Sequence, residues 1–135
     1  MANIKYTEKG LDPWQGAICK TPIFPPILNF FGIGRCTIII KPKYEKDLGI
    51  LNHELEHEKQ FKKNMFHILR YKYSRKYKLQ CELEAYTEQI KAYKYKNINQ
   101  CSWIVDALVN KYDLRVTVSF IVKEIEKILK EVNAG

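Results

Sequence analysis

Two histidines with a glutamate between them, His53-Glu54-Leu55-Glu56-His57, stand inside the stretch HELEHEKQ. Residues four apart on a helix lie one turn apart on the same face, so the imidazoles of His53 and His57 can share one metal ion. Zinc accepts neutral imidazole nitrogen. Glu54 projects about 100° round the helix from His53, where its carboxylate addresses a water on the metal rather than the metal itself. The chemistry on offer is hydrolysis by an activated water. It requires a third protein ligand and one position left open.

The remaining histidine, His67, lies ten residues after His57, and no glycine stands between Gly49 and the terminal Gly135. This spacing speaks against a three-histidine site with an intervening glycine. A carboxylate is the better third ligand, and the stretch CELEAY supplies Glu82 and Glu84. On the helix expected over Lys78 to Lys96, the residues Leu79, Leu83, Tyr86, Ile90 and Tyr93 define an apolar stripe. Glu82 falls roughly 60° from its centre and Glu84 nearly opposite. Glu82 is therefore expected to face inward, where an unpaired carboxylate is costly, and Glu84 to face solvent. The plain alternatives are a solvated polar face for the two histidines and a lysine ion pair for Glu82.

With HELEH followed after a helix-length gap by ELEAY, the chain resembles the gluzincin zinc metallopeptidases. It also resembles small bacterial and phage-encoded proteins carrying His-Glu-x-x-His-x-x-Gln and then Glu-x-Glu-Ala. The resemblance covers about Arg35 to Gln89. It implies zinc as cofactor, His53, His57 and Glu82 as metal ligands, and Glu54 as catalytic base. The implied substrate is a peptide or protein, cut as by a metalloendopeptidase. It also implies that the strand RCTIII borders the cleft and pairs with extended substrate. Many gluzincins place an aspartate four residues after the glutamate ligand to orient a histidine; here that position is Tyr86. Tyr86, Gln60 or a backbone carbonyl is left to hold the imidazole. The transition state needs a further donor, and His67, Tyr71 and Tyr73 are the candidates, among which the sequence does not choose.

The elements that must position these residues are legible in outline. A chain of 135 residues fits one domain, 1–135. Up to Gly34 the chain reads as loop, interrupted by Gly10, Pro13, Gly16, Pro22 and the Pro25-Pro26 pair, with GAICK and PILNF as short extended pieces able to pair later. The β-branched run RCTIIIKPKY reads as a strand ending at Pro42 and lying at a sheet edge, because proline denies the ladder a donor. From Asp47 to about Met65 the chain reads as the motif helix, with Gly49 a mild liability near its start. A short helix and connector follow through FHILRYKYSRKYK, then the Glu82 helix. Ser102 is placed to cap a helix over WIVDALVNKY. A last helix, Thr117 to Val132, carries an apolar stripe of Val118, Ile121, Val122, Ile125, Ile128, Leu129 and Val132. The expected fold is α+β: a small N-terminal β-sheet with an edge strand, packed on a mainly helical, minimal zincin domain. The metal would sit between the motif helix and the Glu82 helix.

The formal charge of +8 is mostly lysine, the arginines being Arg35, Arg70, Arg75 and Arg115. It favours an acidic partner. The segment 61–78, FKKNMFHILRYKYSRKYK, interleaves bases with aromatics as single-strand binders do, so a non-catalytic nucleic-acid-binding or protein-binding domain is the rival reading. No RRM, KH or helix-turn-helix pattern accompanies it. The cysteines Cys19, Cys36, Cys81 and Cys101 form no C-x-x-C pair, which speaks against a cysteine zinc knuckle and a dense disulfide framework. MANIKYTEKG has no secretory pattern, and the apolar stretch Pro25 to Ile40 is interrupted by Asn29, Gly32, Gly34 and Arg35. A soluble, cytoplasmic protein with no membrane partner is expected.

Overall fold

The computed structural model describes residues 2–20, 36–64 and 66–134, and the extended piece PILNF lies outside them. Among the described residues a three-stranded sheet packs against five α-helices, an α+β architecture. The strands are β1 (Asn3–Tyr6), β2 (Ala17–Lys20) and β3 (Thr37–Ile40). β2 is the expected GAICK piece. β1 was not expected, and its sequence explains why: NIKY is short, and most of it is exposed.

The isoleucines Ile38, Ile39 and Ile40 bury β3, but its position corrects the sequence reading. β3 is the central strand, with β1 parallel on one side and β2 antiparallel on the other. Pro42 lies beyond the last ladder residue and opens a 3-10 turn, Pro42–Tyr44, so it removes no donor from the ladder. The edge that faces the helices belongs to β2.

The helices are α1 (Leu48–Lys63), α2 (His67–Tyr73), α3 (Arg75–Tyr93), α4 (Ser102–Asn110) and α5 (Val118–Ala134). The Asp47 carboxylate caps α1 by accepting from the Ile50 N–H at 3.1 Å. Ser74 does the same for α3 through the Tyr77 N–H, also at 3.1 Å, which starts that helix at Arg75 rather than Lys78. Ser102 is not the N-cap of α4. A 3-10 turn over Ile98–Cys101, closed by a capping box of Asn97 and Gln100, runs directly into α4 and leaves Cys101 at its cap position. At α5 the Thr117 hydroxyl accepts from the Phe120 N–H at 3.1 Å.

Tyr86 and Ile90 of α3, Ile104 and Leu108 of α4, and Ile121 and Ile125 of α5 form the main apolar cluster. On α5 the stripe is only partly used, for Val118 stays exposed while Ile121, Ile125 and Leu129 are buried. The opposite face of α3 packs along α1, the most extensive helix pair among the described residues.

Two hydrogen-bonded clamps fix the register of that pair. At one end the Tyr93 hydroxyl lies 2.7 and 2.8 Å from the Asp47 carboxylate oxygens and accepts from Gln89 Nε2 at 3.1 Å. Gly49 makes this approach possible, since a Cβ there would lie 2.4 Å from the Tyr93 ring. The glycine is thus a packing requirement rather than a liability. At the other end Gln60 Nε2 donates to the Cys81 carbonyl at 2.9 Å. With Asp47 held at Tyr93 and Gln60 at Cys81, α1 runs antiparallel to α3. No helix among the described residues is long and apolar enough to cross a membrane.

Candidate metal centre

The clamped register sets His53 and His57 opposite Glu82. His53 Nε2 lies 3.5 Å from Glu82 Oε1, and His57 Nε2 lies 3.2 Å from Oε2. Their ligand atoms all fall within 4.8 Å of one another, so the three side chains form a group able to hold a metal ion. Ala85, fully buried one turn after Glu82, is small enough to let α1 approach. Glu82 is 1% exposed, and its Oε1 has no hydrogen-bond partner among the described residues. A buried carboxylate set against two imidazoles, with its Oε1 bound to no donor, has the chemistry of a cation site, so the residues fit a metal.

Without a metal the same three side chains form an ion-paired cluster, whose proton a bound cation would displace. Burial works against the charge on Glu82, yet His57 and His53 outweigh it and hold the carboxyl well below its usual range. Burial likewise pushes His57 down, and the Glu82 charge and hydrogen bond, helped by Glu54 and Gln60, raise it to about 10. Each partner's charge therefore stabilises the other.

Gln60 holds the histidine. His57 Nδ1 lies 2.9 Å from Gln60 Oε1, and with Nδ1–H donating there, Nε2 is left facing Glu82. Gln60 is buried and is itself anchored by the Cys81 carbonyl and by Glu84 Oε1 at 3.1 Å. Glu84 is exposed, as its helical phase predicts, but its carboxylate reaches back to Gln60. Of the orienting groups that the sequence leaves open, Tyr86 bonds to neither histidine. Its hydroxyl pairs with that of Tyr112 at 2.9 Å, while its ring packs edge-on against His53 at 4.4 Å between centroids. His53 Nδ1 has no hydrogen-bond partner among the described residues.

The three donor candidates separate clearly. The Tyr71 hydroxyl donates to Glu82 Oε2. His67 is buried beside it, with Nδ1 2.7 Å from the Tyr77 hydroxyl, and burial lowers its pKa to about 4. Both line the cavity that contains the ligand group. Tyr73 is 75% exposed and does not belong to the site. Two residues on from Tyr71, it points about 200° round α2 and cannot share the same face.

Glu54 is 6% exposed and 4.0 Å from His53 Nε2. Burial pushes its carboxyl up, His53 and His57 pull it back, and the backbone of Cys19 offers it a hydrogen bond. β2 therefore edges the site, in the place expected of RCTIII. A cavity of about 430 Å³ contains His53, His57, Glu82 and Glu54, and a second of about 470 Å³ opens on the far side of His53 and Glu54. Trp14 and Tyr112 line both. Neither was singled out from sequence, because they come from the loop before β2 and the α4–α5 connection, remote from the motif.

In the basic, aromatic segment 61–78, Phe61 and Tyr77 are buried and Tyr71 is bonded to Glu82. Phe66 and Tyr73 of the same segment are exposed, so two of its rings remain on the surface. All four cysteines are free thiols. No protein-family model, curated protein or solved structure matches this chain.

Proposed function

We propose that the chain is a zinc-dependent hydrolase of peptide bonds, metalloendopeptidase-like, with His53, His57 and Glu82 holding the metal and Glu54 as general base. The observation that carries the proposal is the meeting of these four side chains at one cavity, brought together from two helices by the clamps. Two imidazoles and one carboxylate are a donor set that suits zinc with a position left for water and substrate. When bound, zinc would polarise the scissile carbonyl and acidify water.

The chain's own residues account for the rest. Glu54, fixed beside His53 and steadied from Cys19, is placed to take a proton from the attacking water. As the C–N bond breaks, it returns that proton to the departing amine nitrogen. Gln60 and Tyr71 position His57 and Glu82 and need not touch substrate. Free thiols throughout suit a cytoplasmic setting. The test is zinc-loaded wild type beside Glu54→Gln on an unfolded protein substrate. Hydrolysis should fall by about 10²-fold or more while zinc is retained, and full activity in the variant would remove Glu54 as the base.

A further inference from the structure

The two cavities that meet over Glu54 differ in chemistry. The larger is walled by Tyr44, Tyr86, Tyr93, Tyr95 and Trp103. The smaller adds Lys72 and Lys78 to the ligand group, and Lys111 borders both. Trp14 and Tyr112 meet edge-on, with centroids 5.5 Å apart, and mark the divide.

Lys78 lies one turn before Glu82 on the same face of α3. Its half-buried ammonium donates to the Tyr112 carbonyl at 2.7 Å and lies 5.5 Å and 5.9 Å from the Tyr71 and Tyr112 ring centroids. One hydrogen bond leaves two ammonium protons for a guest anion. The carboxylates lining this chamber are Glu54 and Glu82, and the charge of Glu82 is answered by the histidines. The surplus at this end is positive.

The wall joining the chambers is β2. Lys41 N donates to the Gly16 carbonyl at 2.8 Å, so the antiparallel alternation turns the backbone groups of Ile18 toward β3 and those of Ala17 and Cys19 outward, where the Cys19 N–H meets Glu54 and the Ala17 groups and the Cys19 carbonyl face the cleft. No described strand pairs with that outer edge. Gly16 borders the aromatic chamber, Ala17 both, and Ile18 and Cys19 the basic one, so β2 runs from the first to the second. An added strand pairs slightly better antiparallel, and its N-terminal half then lies at the basic end.

We propose that this cleft selects an extended peptide with an acidic side chain on the N-terminal side of the amide over Glu54 and a large apolar side chain on its C-terminal side. The selection rests on the hydrolase reading for its orientation about Glu54, but it is measured separately. Of the two tryptophans of the chain, Trp103 lines the aromatic chamber alone and Trp14 borders both, so their fluorescence reports occupation of the cleft.

The experiment titrates zinc-supplied Glu54→Gln with three end-capped hexapeptides: Glu-Glu before Phe, the same residues reversed, and Gln-Gln before Phe. The first should bind about tenfold more tightly than either of the others. Lys78→Gln should erase the advantage of Glu over Gln while leaving the response to Phe, and Lys72→Gln, at an exposed position, should reduce it without a folding risk. Equal affinities for the three peptides, or a Glu preference untouched by both lysine variants, would overturn the proposal. Selective binding without cleavage by wild type would remove the hydrolase reading and keep the selectivity. Cleavage of all three at one rate would do the opposite.

Discussion

Replacing Gln60 with leucine tests the link between fold and site. Leucine keeps much of the volume of a side chain that is 3% exposed but deletes its amide. The bond to the Cys81 carbonyl, 2.9 Å, is worth about 1 kcal/mol net. Loss of the 2.9 Å contact to His57 Nδ1 leaves a mostly buried ring nitrogen without its partner, about 1–2 kcal/mol more. The sum, about 2–3 kcal/mol, lowers Tm by roughly 10 °C in a domain of this size when measured with chelator present. Because Gln60 also orients His57, zinc affinity in a competition titration should fall about 10–100-fold. Glu84→Ala removes only the exposed end of the chain of bonds and should change either quantity little. A Gln60→Leu protein that melts with wild type and binds zinc equally well would refute the argument that Gln60 clamps α1 to α3 and holds the histidine.

Three further outcomes follow from the same contacts. Gly49→Ala gains about 1 kcal/mol of helix propensity, yet its Cβ would meet the Tyr93 ring at 2.4 Å and break the Asp47 clamp, so thermal denaturation should show a net loss of about 1–2 kcal/mol; a stabilised variant would contradict this. His67, lowered to about 4 from an ordinary value near 6.5, favours the fold fully above pH 6.5, and that contribution is lost as pH falls toward 4. Between pH 7 and 4.5 wild type should therefore lose about 2–3 kcal/mol more stability than His67→Gln in urea titrations, and parallel losses would rule this out. Tyr71→Phe removes the donor to Glu82 and should weaken zinc binding about tenfold, whereas Tyr73→Phe should not; equal effects would show that Tyr71 does not position the ligand.

The clustering of His53, His57 and Glu82 was readable because its information is local. The four-residue spacing of His53 and His57 sets their common face, and the phase of Glu82 against Leu83, Tyr86 and Ile90 shows that it turns inward. Both follow from helix geometry, which one stretch of chain contains. Strand order is different. Nothing in RCTIII says whether one neighbour or two will pair with it, since that depends on where NIKY and GAICK arrive from distant loops. Tyr86 shows a second limit, since its hydroxyl could have served a histidine and is taken instead by Tyr112, from another part of the chain. Gly49 shows a third, for its isolated propensity is poor and only the Tyr93 ring explains it. Trp14 and Tyr112 carry no spacing signal at all, because their role arises only when the cleft closes around them.

One zinc ion is expected to bind between α1 and α3, and elemental analysis after zinc supply and dialysis measures it. Wild type and Glu84→Gln should each hold about one zinc per chain, and the near-isosteric Glu82→Gln should lose most of it. No zinc in wild type at neutral pH, or equal zinc in Glu82→Gln, would contradict the account.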